Sequence, residues 1–271
     1  MPFALAGFTM AITDHPDYDF PILLLKVIFC MIFGRSAAMA FNRWLDRDID
    51  AKNPRTIIRE IPAGTITADA ALWFVIANCI LFVTTAFFIN PICFILSPVA
   101  LTVILGYSYT KRFTALCHLV LGLGLALAPV GAYMAVAGKF EVIPVILGIS
   151  VLFWVAGFDI IYALQDRDFD KDNQLNSIPV VFGNDKALHI SELFHFISAI
   201  AVIAFTFYLN KYYETSGWLS LTGLLIFLVL LIYQHLIVRP TDLSRVNLAF
   251  FTTNGIASLI FGSLVIFDLI W

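Results

Sequence analysis

The pentapeptide Asp-Arg-Asp-x-Asp occurs twice, as Asp46-Arg47-Asp48-Ile49-Asp50 and as Asp166-Arg167-Asp168-Phe169-Asp170, 120 residues apart in a chain that is 61% hydrophobic. Clustered acids add nothing to the packing of apolar helices, and an ionisable side chain in or beside a membrane helix points to function. Two such clusters facing one cavity could hold a divalent cation and, through it, a polyphosphate. Magnesium suits this chemistry: it takes one or two carboxylates, several waters and phosphate oxygens in octahedral geometry.

Helical spacing sorts the acids. Positions three or four apart share a face, and Arg35, Met39, Asn42, Asp46 and Asp50 follow one another in such steps. One stripe therefore carries a cation, an amide and two carboxylates. Asp159, Tyr162, Asp166 and Asp170 repeat the pattern. The expected metal set is Asp46, Asp50, Asp166 and Asp170, with Asn42 as a further oxygen ligand or an orienting group. Asp48 and Asp168 lie about 200° from their neighbours and are expected, with Arg47 and Arg167, on the wetter face.

A metal neutralises only part of a diphosphate, so cations should stand nearby. Arg55 and Arg59 follow the first cluster, and Lys111 and Arg112 close an apolar segment. Arg35 lies roughly 10 Å deeper than Asn42 at 1.5 Å per residue, too deep to snorkel easily, and is expected in the pocket.

The surrounding elements are membrane helices. A charged fraction of 13%, 26 phenylalanines and a mean hydropathy of +0.91 lie far outside soluble ranges. A helix crosses a bilayer with about 20 apolar residues. Full spans are expected at 21–45, 68–89, 91–109, 113–137, 142–164, 185–209, 217–238 and 243–268, with a short apolar stretch at 2–12. That makes eight complete helices and part of a ninth in a single domain, 1–271. The chain begins inside an apparent helix with no signal-peptide pattern, so the natural chain is expected to extend upstream.

Alternating the connections places twelve Lys and Arg on one side: Arg43, Arg47, Lys52, Arg55, Arg59, Lys111, Arg112, Arg167, Lys171, Lys186, Arg239 and Arg245. The other side has Lys139 and Lys211. This asymmetry puts both acid clusters at the cytoplasmic face. The opposite connections at 90–91, 138–141 and 210–216 are too short for a domain. Cys30, Cys79, Cys93 and Cys117 are scattered in apolar segments and read as small core residues. The five histidines are equally dispersed, so zinc is not indicated, and there is no nucleic-acid signature.

These residues resemble the UbiA-type membrane prenyltransferase superfamily. Asn42, Asp46 and Asp50 match its Asn-x-x-x-Asp-x-x-x-Asp signature, and Asp159, Tyr162, Ala163, Asp166 and Asp170 match the second, Asp-x-x-Tyr-Ala-x-x-Asp-x-x-x-Asp. Arg55, Thr56, Arg59 and Gly64 fit the segment after the first signature. Tyr107 with Lys111-Arg112, and Asn254 and Gly262, also fit. Arg35-Ser36-Ala37-Ala38 and Ser177-Ile178-Pro179 look most like the 4-hydroxybenzoate polyprenyltransferases, whereas Arg59-Glu60-Ile61-Pro62 departs from the commoner Arg-Pro-Leu.

The resemblance implies an all-α integral membrane fold, a ring of about nine transmembrane helices around a central cavity. The cavity would be capped on the cytoplasmic side and open laterally to membrane lipid. The implied localisation is a bacterial inner membrane. The implied activity is transfer of a polyprenyl group from a polyprenyl diphosphate to a small aromatic acid, 4-hydroxybenzoate, with Mg2+, in quinone biosynthesis. Arg59, Lys111, Arg112 and Arg55 would neutralise diphosphate oxygens. Asp159 or Tyr162 would bind the phenol hydroxyl as a general base, and Arg35 or Arg112 would grip the acceptor carboxylate. Metal and diphosphate motifs do not discriminate acceptors, so a menaquinone precursor, haem or a glycerol phosphate lipid remains as an alternative. An ion-coupled transporter is disfavoured because the acids sit at helix ends and no inverted repeat of broken helices is visible.

Overall fold

The structure is a computed structural model that describes residues 1–15 and 20–271. Its described residues are helical, with only an isolated β-bridge between Arg239 and Asp242. Helix α1 is Pro2–Asp14, α2 is Phe20–Leu45 and α3 is the short Arg47–Asp50. Then come α4 (Ala68–Phe87), α5 (Pro91–Thr110), α6 (Cys117–Ala137) and α7 (Val142–Ala163). A 3-10 turn, Leu164–Asp166, leads to α8 (Arg167–Asp172). The chain closes with α9 (Ile178–Tyr213), α10 (Trp218–Ile237), a π-helical turn (Leu248–Thr253) and α11 (Asn254–Ile270).

Local chemistry sets several starts. Thr67 Oγ1 accepts the Ala70 N–H at 3.2 Å, and Asn90 Oδ1 accepts the Cys93 N–H at 2.9 Å, so each N-cap satisfies an amide the helix leaves free. Pro2 and Pro91 occupy first-turn positions, where a missing N–H costs nothing. Gly138 ends α6 in the left-handed conformation, φ 65°.

Among the described residues, eight helices are long and apolar enough to cross a membrane. Their outer faces carry exposed large apolar side chains such as Trp73, Phe196, Leu225 and Leu236. Such a surface is stable against lipid. The eight expected spans are all present, with shifted ends: α6 starts at Cys117 and the last span starts with the π-helical turn. Helix α9 starts at Ile178, earlier than hydropathy suggested, and breaks at Gly183, whose φ of 80° favours glycine.

From α4 onward each long helix packs on the next, and α2 packs on α4 and α5. The 13-residue α1 is wedged between α6 and α11 and buries Phe3, Phe8 and Met10. In lipid, close helix contact depends on small residues. Gly122 of α6 lies against the Leu152 carbonyl of α7, where any Cβ would overlap it. Buried Ser150 and Ser198 exchange hydrogen bonds with each other's backbone carbonyls at 3.1 and 2.9 Å, tying α7 to α9.

The acid clusters share a local geometry that helical periodicity alone did not anticipate. Helix α2 does not run on through Asp50. Asp46 leaves helical geometry at φ −91°, ψ 4°, and α3 follows it. Asp166 does the same at φ −102°, ψ 1°, before α8. Both lie in the sparsely populated bridge region where many active-site residues are found. Each pentapeptide thus forms a long helix, a hinge at its first aspartate, and a short acid-bearing helix.

Candidate active site

The C-terminal ends of α2, α5 and α7 and the N-terminal ends of α6 and α9 meet at one end of the bundle. There they enclose a cavity of about 280 Å³. One wall is the end of α2 with α3. Asp46 is 1% exposed and takes Lys111 Nζ at 2.8 Å and Arg112 Nη2 at 3.2 Å. Asn42 Nδ2 donates to Asp46 Oδ2 at 3.2 Å and to Ser108 Oγ at 3.3 Å. Asp50, also buried, takes Arg59 Nη1 on both oxygens at 2.9 Å.

The loop after α3 crosses to the opposite wall. Asn53 Oδ1 accepts the Arg55 N–H at 2.9 Å, while Asn53 Nδ2 donates to Asp166 Oδ1 at 3.3 Å. Arg55 Nε donates to the same oxygen at 2.9 Å and Nη2 reaches Asp166 Oδ2, forming a two-pronged ion pair. Arg55 Nη1 also donates to the Tyr162 hydroxyl, and its guanidinium lies 5.0 Å from that ring's centroid. Burial alone would lower the Arg55 pKa, but the hydrogen bond and charge of Asp166 outweigh it and hold Arg55 above its ordinary value. Tyr162 stacks on Phe250 at 4.1 Å between centroids. Beside it Asp159 Oδ2 meets His118 Nδ1 at 2.7 Å.

All the expected metal ligands line this cavity: Asn42, Asp46, Asp50, Asp166 and Asp170. Asp159, Tyr162, Arg55, Arg59 and Lys111 line it too. The expected phasing within each pentapeptide is reproduced, since Asp48 and Asp168 are exposed. One expectation needs correction. Arg35 does not line the cavity and its side chain is exposed, although Asn42, two turns further along the same helix, does line it. Arg112 is not part of the cavity lining, but its Nη2 donates to Asp46, which is, and to the Leu45 carbonyl.

The aspartates do not form a ready-made metal cluster. Among the described residues no three His, Cys, Asp or Glu side chains stand close enough to hold an ion. Instead Asp46, Asp50 and Asp166 are each held by a cation, while Asp170 has no ion pair among the described residues. Five carboxylates and three cations line the cavity, an excess of acid that leaves room for positive charge.

Sequence reasoning passed over Asn53, Ser108 and His118. Asn53 continues the Asp46–Asp50 stripe by three residues, a signal that spacing could have supplied. His118 had no such signal, because its partners come from α7 and α9.

A ring of apolar helices enclosing paired acid and base clusters defines an intramembrane enzyme that handles charged groups beside lipid. Residues 1–256 match the UbiA prenyltransferase family, and the chain belongs to that family of integral membrane prenyltransferases. It is 29% identical over 258 residues to a 4-hydroxybenzoate octaprenyltransferase of Tolumonas auensis, covering 95% of this chain and 87% of that one. It is 27% identical to the protein of that name from Francisella tularensis, at the same coverages. Its structure superposes on the apo UbiA homologue of Aeropyrum pernix with a TM-score of 0.86 and 28% identity, covering 99% of this chain and 97% of that one. For an Archaeoglobus fulgidus UbiA homologue, solved with GPP and Mg2+, the TM-score is 0.68 at 23% identity, covering 100% and 94%.

Proposed function

We propose that this prenyltransferase moves a polyprenyl group from a polyprenyl diphosphate to 4-hydroxybenzoate, at the ring carbon ortho to the phenol hydroxyl. The observation that carries this reading is one cavity holding both acid clusters, three cations and the Asp159–Tyr162 wall. The names of the curated relatives support the acceptor, and the A. fulgidus homologue bound to GPP and Mg2+ supports the donor and metal.

The donor set fits magnesium. It offers hard carboxylate and amide oxygens, an excess of negative charge, and space for waters and diphosphate oxygens. Asp46, Asp50, Asp166 and Asp170 would hold the ion, and Asn42 would orient Asp46. When bound, magnesium supplies Lewis-acid stabilisation of the charge that develops on the departing diphosphate.

The chain's own groups do the remaining work. Arg59, Lys111 and Arg55 now neutralise Asp50, Asp46 and Asp166, and would turn to the diphosphate oxygens as metal takes their place on the carboxylates. Cations so placed would favour ionisation of the allylic C–O bond by stabilising the charge on the departing diphosphate. Asp159 would accept a hydrogen bond from the phenol hydroxyl and so enrich the ring; the ortho carbon bonds to the allylic cation, and the proton it loses leaves to the released diphosphate or water as the ring regains aromaticity. Tyr162, stacked on Phe250, walls the acceptor ring and excludes water that would otherwise capture the cation. Arg112, beside Asp46, would offer a planar fork for the acceptor carboxylate. The basic residues gathered at the cavity end favour the cytoplasmic face of a bacterial plasma membrane.

The test is transfer by the purified protein in lipid vesicles, with geranyl diphosphate, 4-hydroxybenzoate and Mg2+. Geranylated 4-hydroxybenzoate is expected, lost with chelator and restored by magnesium. Transfer only to a naphthoate acceptor would overturn the assignment of the aromatic acid. Transfer unaffected by chelator would overturn the metal.

A further inference from the structure

Asp159 is held by a residue that no signature contains. His118 stands in the first turn of α6, 2% exposed, with Nδ1 at 2.7 Å from Asp159 Oδ2. Its other nitrogen, Nε2, accepts the backbone N–H of Ile178, the first residue of α9, at 3.4 Å. A backbone N–H can only donate, so the tautomer that satisfies both contacts is the one with the lone pair on Nε2 and the ring hydrogen on Nδ1, pointing at Asp159.

The contacts around His118 hold its place. The Asn176 N–H donates to the Lys111 carbonyl at 2.6 Å, and Cys117 Sγ reaches the Asn176 carbonyl at 3.7 Å. The segment between the second acid cluster and α9 is thereby fastened to the start of α6. Asp159 Oδ1 has no hydrogen-bond partner among the described residues, and its side chain is 22% exposed to the cavity.

We infer that His118 is a positioning residue for the transfer reaction: its Nδ1–H pins one oxygen of Asp159, and so turns the other towards the acceptor hydroxyl. Its Nε2 anchors that arrangement to the first turn of α9. The inference rests on the assignment of Asp159 to the acceptor made above. A rigid partner of this kind is the usual means of holding a catalytic group in a productive orientation.

Two measurements on the full chain in lipid test it. The first is the 15N spectrum of histidine-labelled protein, with His118→Asn used to assign the resonance. The His118 ring is expected to carry its hydrogen on Nδ1 and to shift in Asp159→Asn. A hydrogen on Nε2, or no response to Asp159→Asn, overturns the inference.

The second is kinetic, with geranyl diphosphate and 4-hydroxybenzoate. Loss of a hydrogen bond to a charged group should lower kcat/KM for the acceptor by about 10- to 100-fold in His118→Leu, with KM for geranyl diphosphate unchanged. His118→Asn, whose amide can donate from the Nδ1 position, should recover most of that loss, which a purely structural defect would not allow. In an Asp159→Asn background His118→Leu should add nothing further. Wild-type transfer by a folded His118→Leu, or a fully additive double variant, overturns the inference. Wild-type transfer by Asp159→Asn alone would instead remove the role of Asp159, and the spectrum would still decide the contact.

Discussion

Replacing Asp46 by asparagine separates a metal-binding role from a merely local one, because Asp48, two residues on, supplies an internal control. Asp46 is 1% exposed and receives Lys111, Arg112 and Asn42. Breaking a fully buried ion pair costs about 3–5 kcal/mol, mostly because a charge is left stranded. Here the stranded cations are 30% and 38% exposed, so water can reach them and the folding cost should fall towards about 1–2 kcal/mol. The catalytic loss should be larger. Removing one preorganised electrostatic contact costs about 10²- to 10³-fold in kcat, and Asp46→Asn also unbalances the charge that magnesium would meet. Asp48 is 84% exposed and lies 3.9 Å from Arg47, so Asp48→Asn should leave both melting temperature and transfer unchanged. The assay is geranyl transfer by both variants in vesicles at saturating magnesium, with thermal unfolding as the control for folding. Equal losses in the two variants would refute the assignment of faces, and wild-type turnover in Asp46→Asn would remove this residue from the site.

Arg59→Lys should keep a positive charge but lose the planar guanidinium, whose Nη1 now holds both oxygens of Asp50 and whose remaining N–H groups could reach a diphosphate, raising the apparent KM for geranyl diphosphate about tenfold. Steady-state kinetics against the donor will show whether KM moves or only kcat. Arg35→Ala, outside the cavity lining, should leave acceptor and donor KM within about twofold of wild type; a selective rise in acceptor KM would return Arg35 to the pocket. Gly122→Ala would drive a methyl group into the Leu152 carbonyl and should destabilise the fold by about 1–3 kcal/mol, read as a lower melting temperature with substrate KM unchanged.

What the sequence made legible follows from what its periodicities report. Hydropathy marks lipid-spanning length, so all eight long helices were visible, while ends set by Ser177 and by the π-helical turn were displaced by several residues. The 3.6-residue period correctly sent Asp48 and Asp168 outward, because each pentapeptide's last four residues do lie on a helix. The same spacing brought Asn42, Asp46 and Asp50 into the cavity but did not carry Arg35 there, since a shared helical stripe does not say how deep the cavity reaches. Spacing along one helix also says nothing about partners on others. That is why Arg55 could be nominated for the site but not paired with Asp166, and why His118 went unnoticed between α7 and α9.

The most direct measurement is Mn2+ binding, followed by electron paramagnetic resonance in the presence of a non-ionising geranyl diphosphate analogue. Manganese serves as the reporter for magnesium, and the single-residue variants Asp50→Asn and Asp170→Asn each remove one acid cluster's contribution. If both clusters serve one metal–diphosphate site, either variant should weaken binding of the ion and of the analogue together. Wild-type binding in either variant would contradict a shared site.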